Sequence, residues 1–245
     1  MSIRNSLLRT YFARRMKAID RFRRHPDQVQ AEMFRQLIAR GADTEFGRRH
    51  GVAKHLTPEA FAARVGVQDY ESFKPYIERM LAGEKNVAAP GWVTLFARSS
   101  GTTSDRSKFI PVTRESVWWN HTLGMRDVAA VYASAKPQTK IFDGKTLTLG
   151  GSYVRENGAL IGDLSAVLIS QTPFWSGWFR APKMETALIP DFDRKIEGIC
   201  RECTREKITA FAGVPSWNLV LMRRVLEYTG TVSYTHLRAH ETRGN

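Results

Sequence analysis

The segment from Trp92 to Tyr132 restricts the possible fold more than any other part of the chain. Trp92 to Ala97 is largely apolar and reads as a short strand. It enters Arg98-Ser99-Ser100-Gly101-Thr102-Thr103-Ser104-Asp105-Arg106-Ser107-Lys108, a stretch built from hydroxyl, charged and glycine residues. Phe109-Ile110-Pro111-Val112 is a brief strand leaving that bend, and Thr113 suits the N-cap of a long helix over about 114–135. On this helix Trp118, Thr122, Met125, Ala129 and Tyr132 make one stripe. Strand, polar bend, strand and helix in this order call for a sheet with helices packed against it.

The remaining periodicities agree with an α/β fold, a mixed sheet packed by helices. Pro26 suits the first turn of a helix over 26–40, with Gly41 as its stop. Residues 42–57 read as a polar connection. Thr57-Pro58-Glu59 reads as a cap, a proline at the first helical position and a helix start. A further helix over 69–82 ends at Gly83. Lys145 to Leu149 is strand-like, and Gly150-Gly151-Ser152 turns the chain. Residues 163–205 read as helical with breaks at Pro173, Pro182 and Pro190. Ile208 to Ala212 is another strand, and Gly213-Val214-Pro215 opens a helix over 215–228 that Gly230 stops.

At the N-terminus Ile3, Leu7, Phe12, Met16, Ile19 and Phe22 recur at helical spacing, with arginines between them. Residues 3–24 are therefore expected to be one amphipathic helix, docked on the domain in preference to a membrane surface. No apolar run is long enough to cross a bilayer, and no signal-peptide core is present. Cys200 and Cys203 lack the second ligand pair of a structural zinc site and are expected one turn apart on a helix. Two thiols without a disulfide framework suit a reducing, cytoplasmic setting.

The formal charge of +13 favours anionic partners. The basic residues are scattered, however, and no nucleic-acid-binding motif accompanies them. Residues 232–245 break the pattern. They follow a helix-stop glycine, show no periodicity, and resemble a peptide translated from sequencing-adapter DNA. They are set aside with His236 and His240, whose spacing would otherwise suggest a metal site. Residues 1–231 are then read as one truncated domain.

The segment Ser99 to Lys108 suits a polyphosphate. Backbone N–H groups in a glycine-permitted bend can converge on phosphate oxygens. Ser and Thr hydroxyls add rotatable donors, and Lys108 adds a full positive charge on a long stem. It is not a Walker A loop, because Lys108 follows Ser107 and leads into a strand. A solvated Ser/Thr-rich loop would have the same composition.

Several segments in fixed order resemble the auxin-responsive acyl acid–amido synthetase family, the plant jasmonate- and auxin-conjugating enzymes and their bacterial relatives, within the adenylate-forming superfamily. They are Thr44-Glu45-Phe46-Gly47, then Asp69-Tyr70-Glu71-Ser72-Phe73-Lys74-Pro75-Tyr76-Ile77-Glu78-Arg79-Met80, then Gly83-Glu84. Ser99-Ser100-Gly101-Thr102-Thr103 through Lys108-Phe109-Ile110-Pro111 follows, and Gly213-Val214-Pro215-Ser216-Trp217 completes the set. The resemblance implies part of the large N-terminal domain of a two-step ligase using ATP and Mg2+. A carboxylic acid is activated as its acyl-adenylate and passed to an amine such as an amino acid. Ser99, Ser100, Gly101, Thr102, Thr103 and Lys108 would bind the phosphates. Ser104-Asp105 departs from the family's further glycine, and Asp105 is expected to face solvent or pair with Arg106.

By the same resemblance the long helix lines the acyl pocket. Arg126 would fork onto the acid carboxylate, and Trp119, Thr122 and Arg126 would share a face at i, i+3, i+7. Ser216 and Trp217 would border the pocket. Core packing accounts for Trp118 and Trp119 better than substrate contact does and for Ser216 and Trp217 nearly as well, and solvation accounts equally for Arg126. The family's nucleoside-contacting motifs would lie beyond Thr231, so the 245-residue chain is expected to lack ligase activity. Another ATP-using phosphotransferase, or a basic nucleic-acid- or membrane-binding module, are the competing function classes.

Overall fold

The computed structural model describes residues 2–99 and 107–230. The elements run α1 (Ile3–Ala13), α2 (Met16–Arg24), α3 (Pro26–Gly41), α4 (Glu45–Arg49), α5 (Pro58–Val65), α6 (Tyr70–Leu81), β1 (Leu95–Arg98) and β2 (Phe109–Pro111). A π-helical segment, Ser116–Thr122, then runs into α7 (Leu123–Ala135). There follow β3 (Lys145–Thr148), β4 (Tyr153–Glu156), β5 (Ala159–Gly162), α8 (Leu164–Ser170), β6 (Arg180–Ala181), α9 (Met184–Ala187), α10 (Phe192–Cys203), β7 (Ile208–Ala212) and α11 (Pro215–Thr229). The chain divides into two compact units. One comprises Met1–Ser6, Gln138–Ser152 and Ile169–Asn245, the other Leu7–Pro137 and Tyr153–Leu168.

The second unit holds a mixed four-stranded sheet in the order β2-β1-β5-β4. β1 runs parallel to β5, with Phe96 opposite Ile161, and antiparallel to β2, with Ala97 opposite Ile110. Side chains alternate along β1, and both faces are buried. Phe96 packs with Tyr76, Ile77 and Met80 of α6, whereas Leu95 and Ala97 pack with Val112, Leu160 and Val167. A third cluster, Ile38, Ala42, Val52, Leu56 and Val65, ties α3 to α5.

Local chemistry sets several helix starts here. Thr57 Oγ1 accepts from Ala60 N–H at 3.2 Å with Pro58 in the first turn, and Asp69 Oδ1 accepts from Ser72 N–H at 2.7 Å. The stretch expected as a connection contains α4. Its first amides find partners far away in sequence: Glu45 N–H donates to Asn86 O and Phe46 N–H to Val87 O. Gly47 N–H donates to Thr44 Oγ1, and Arg48 N–H to Thr44 O. A Cβ on Gly47 would lie 2.1 Å from Gly41 O, so only glycine lets α3 and α4 meet this closely.

The single N-terminal helix expected over 3–24 is instead two. The hydrogen bonding tightens at Arg15, whose N–H donates to Phe12 O, and α2 restarts from Met16. Polar groups anchor these helices more than the apolar stripe does, since Ile3 and Leu7 are exposed. In the second unit Arg15 forks onto Asp127 of α7 at 2.7 and 3.0 Å. In the first unit the buried Asn5 donates to Thr139 O at 3.0 Å and accepts from Phe142 N–H at 3.2 Å.

The first unit holds a parallel sheet in the order β6-β3-β7. Its core is Leu147, Leu149, Ala181, Ile196, Ile199, Cys200, Cys203 and Leu221. α11 ends at Gly230 in the left-handed conformation, as its sequence predicts. The expected helical stretch 163–205 contains the two-residue strand β6, which pairs with β3. Among the described residues no helix is long and apolar enough to cross a membrane.

Candidate functional site

β1 and β2 are the two arms of a hairpin, and they bring the ends of the hydroxyl-rich segment together. Ser99 N–H donates to Lys108 O at 2.9 Å, and Lys108 N–H donates to Ser99 Oγ at 3.1 Å. Ser100, Gly101, Thr102 and Thr103 lie outside the described residues, as do Asp105 and Arg106. Lys108 is exposed, with its Nζ 5.1 Å from the centre of the Tyr70 ring.

One support of this hairpin, Tyr70, was not among the expected site residues, and neither was its neighbour Asp69. Tyr70 Oη accepts from Phe109 N–H at 2.9 Å, pinning the first residue of β2 to the start of α6. Next to it, Ser72 donates to Asp69 and holds that carboxyl below its ordinary range, with a smaller contribution from the Lys108 charge. Both belong to the Asp69–Met80 segment that carried the family resemblance, which is the signal that marks them.

Thr113 caps the helix after the hairpin, accepting from Ser116 N–H at 3.1 Å. The helix is not α-helical throughout. Over Ser116–Thr122 it is π-wound, and the Thr122 hydroxyl donates to Val117 O, five residues back, at 2.8 Å. The face expected for Trp119, Thr122 and Arg126 presumed α-helical winding. Trp119 and Thr122 both lie in the π-wound segment, where a wider turn rotates the chain less per residue than that expectation assumed. Trp118 and Trp119 are not core residues: they are 48% and 47% exposed.

Arg126 is partly buried. Its guanidinium carbon lies 4.9 Å from the Tyr11 ring centre, and its buried Nε has no hydrogen-bond partner among the described residues. The adjacent carboxylate, Asp127, is already engaged by Arg15. Ser216 and Trp217 belong to the first unit, in the opening turn of α11. Ser216 is exposed, and Trp217 packs edge-on against Phe192 with ring centres 5.8 Å apart.

A separate hollow of about 320 Å³ beside α6 is bordered by Arg49, His50, Gln68, Ser72, Tyr76 and Arg79, and by none of the expected site residues. The Arg79 charge is already taken up by Glu45 and Glu84, which it contacts at 2.6 Å each. Cys200 and Cys203 lie buried on α10, and burial pushes both thiols upward, Cys203 to about 12. Among the described residues no cluster of three metal-ligating side chains occurs.

Comparison with known proteins agrees with this architecture. The GH3 family N-terminal domain matches residues 15–197. A probable indole-3-acetic acid-amido synthetase, GH3.2 of Oryza sativa subsp. japonica, is 34% identical over 106 residues, which is 43% of this chain and 17% of the rice protein. Indole-3-acetic acid-amido synthetase GH3.3 of Arabidopsis thaliana is 29% identical over 103 residues, covering 42% of this chain and 17% of that protein. Among solved structures, GH3.15 acyl acid amido synthetase superposes with a TM-score of 0.69 at 16% identity, over 93% of this chain and 40% of that one. AtGH3.15 in complex with 2,4-DB gives 0.63 at 20% identity, over 82% of this chain and 36% of that one. The chain thus spans well under two thirds of the relatives it matches. The matched domain covers well over half of the chain, with the hairpin, the long helix and the first half of α10 inside it; the chain belongs to the GH3 family.

Proposed function

We propose that this chain supplies the phosphate loop and part of the acid pocket of an ATP-dependent, acyl-adenylate-forming ligase. That ligase joins a carboxylic acid to an amine such as an amino acid. In the first step a carboxylate oxygen attacks the α-phosphorus of ATP, a P–O bond forms, and pyrophosphate leaves. In the second step the amine nitrogen attacks the acyl carbon, a C–N bond forms, and AMP leaves as the nitrogen loses its proton. The observation that carries the reading is the closure of the hydroxyl- and glycine-bearing segment by Ser99 and Lys108 at the end of a hairpin, in a member of a family of acid–amido synthetases.

Ser99, Ser100, Gly101, Thr102, Thr103 and Lys108 hold the β- and γ-phosphates, and catalysis of the first step is mainly positioning and charge stabilisation. Arg126 fits an acid carboxylate, because its partly buried guanidinium carries a buried donor without a partner among the described residues. Trp119 and Thr122 are taken as acyl contacts within the second unit, and Ser216 and Trp217 as acyl contacts within the first. Mg2+ enters on the ATP phosphates, which usually supply much of its coordination with water and one or two carboxylates.

Calorimetric titration with MgATP and with indole-3-acetate tests the assignment. Lys108→Met removes one charge-assisted contact, about 1.5–3 kcal/mol, so MgATP should bind roughly tenfold to a hundredfold more weakly while the acid is unaffected. Arg126→Gln should show the reverse selectivity. MgATP affinity that is the same in wild type, Lys108→Met and Ser99→Ala would remove the basis of the proposal.

A further inference from the structure

The first unit contains a buried lysine that the proposed reaction does not use. Lys195, on α10, is 3% exposed, and its ammonium donates to Gly150 O at 2.8 Å and to Gly151 O at 2.7 Å. These carbonyls belong to consecutive residues of the turn that leaves β3. The turn lies at the carboxyl end of the parallel sheet, the side on which open α/β sheets bind their ligands. The chain leaving β7 is immediately beside it. Leu149 N–H donates to Ala212 O at 3.0 Å, and a Cβ on Gly213 would lie 2.9 Å from Leu149 O. Ser216 and Trp217 follow three and four residues after that contact.

A buried ammonium is costly to desolvate, and an apolar side chain of similar length is often as stable or more so. Its neighbours Ile196 and Ile199 show that α10 otherwise buries apolar groups on this face. What an apolar residue would lack is direction. A glycine pair has the widest choice of backbone conformations, and two charge-assisted bonds to successive carbonyls select one of them.

We propose that Lys195 is a positioning residue, which fixes the Gly150–Gly151 turn and, through its contact with Ala212 and Gly213, the opening of α11 that carries the proposed acid contacts Ser216 and Trp217. The fixing of the turn stands on the hydrogen bonds alone. Its consequence for the acid rests on the ligase reading above.

The test uses the 245-residue chain. Lys195→Met keeps the stem and removes the ammonium; Lys195→Ala opens a space that n-propylammonium can refill. Hydrogen–deuterium exchange should speed up by about tenfold or more at residues 151–152 in both variants, with α11 beyond Trp217 and the second unit unchanged. n-Propylammonium should restore protection in Lys195→Ala, and n-propanol should not. Unchanged exchange at the turn overturns the proposal. So does equal rescue by the alcohol, or uniform loosening of the whole first unit in Lys195→Met. In the binding arm, indole-3-acetate should bind Lys195→Met about tenfold more weakly with MgATP affinity kept. A loosened turn with unaltered acid binding refutes the link to the acid contacts. Failure of the wild type to bind either ligand counts against the ligase reading, while exchange at the turn still decides the role of Lys195.

Discussion

Thr44 gives a sharp test of how the hairpin-bearing unit is held together. Its hydroxyl donates to Gly41 O at 2.6 Å and accepts from the buried Gly47 N–H at 3.0 Å, and the residue is buried. Removing the hydroxyl leaves Gly41 O satisfied, because Thr44 N–H also donates to it at 3.1 Å. It leaves Gly47 N–H buried without a partner, which costs about 1–3 kcal/mol, the same interaction that appears as about 0.5–2 kcal/mol in N-cap substitutions. The two figures describe one bond and are not summed. Thr44→Val, which keeps the shape, should therefore destabilise by roughly 2 kcal/mol, whereas Thr44→Ser, which loses one methyl, should cost about 0.8 kcal/mol. In a chain of this size roughly 2 kcal/mol corresponds to a fall in Tm of about 4–8 °C. Urea unfolding followed by circular dichroism and by tryptophan fluorescence measures both. If packing governed the site the order would invert, with valine near wild type and serine worse. That inversion would refute the claim that a side-chain hydrogen bond is what permits the five-residue helix α4.

Two further outcomes follow from single contacts. Tyr70→Phe removes the acceptor of Phe109 N–H and should weaken MgATP binding several-fold with little change in Tm, as read by titration and calorimetry; unchanged affinity would detach Tyr70 from the loop. Cys200 and Cys203 should resist alkylation by iodoacetamide until the chain unfolds. The Cys203 thiol is raised from 9.0 to about 12 in the fold, so its contribution to stability is complete below about pH 9 and disappears as the pH climbs through 12. Alkylation of either cysteine in the native chain at pH 8 would contradict their burial.

The helix ends that could be read from sequence are those whose chemistry is local. Thr57-Pro58, Asp69, Pro26 and Gly230 act on groups within three residues, so their order along the chain suffices. α4 has a local cap too, Thr44 on Gly47, but its five residues carry no periodicity to mark a helix. Its first two amides are satisfied by Asn86 and Val87, which only the tertiary fold brings near. The strand β6 is two residues long and exists through its pairing with β3. The β4–β5 hairpin is a different case. Asn157-Gly158, both at positive φ, is a strong two-residue hairpin signal, and it marks the turn between these strands without help from the rest of the chain.

The site shows the same division. The pairing of Ser99 with Lys108 follows from an apolar strand, a polar bend and a second strand, because an antiparallel hairpin must bring the two ends of its connection together. The π-wound turn has no such local cause. A Thr hydroxyl can back-bond to a carbonyl in any helix, so Thr122 does not mark the place where the winding widens. Yet that widening decides which side chains point with Arg126. Periodicity therefore locates the helix and its arginine, while the direction of Trp119 depends on a hydrogen-bonding choice that only the folded chain makes. The π-turn relaxes to α-helix at Leu123, one residue after Thr122, so the proposed acid contacts Thr122 and Arg126 should couple in a double-mutant cycle of acid binding, and additive effects would separate them.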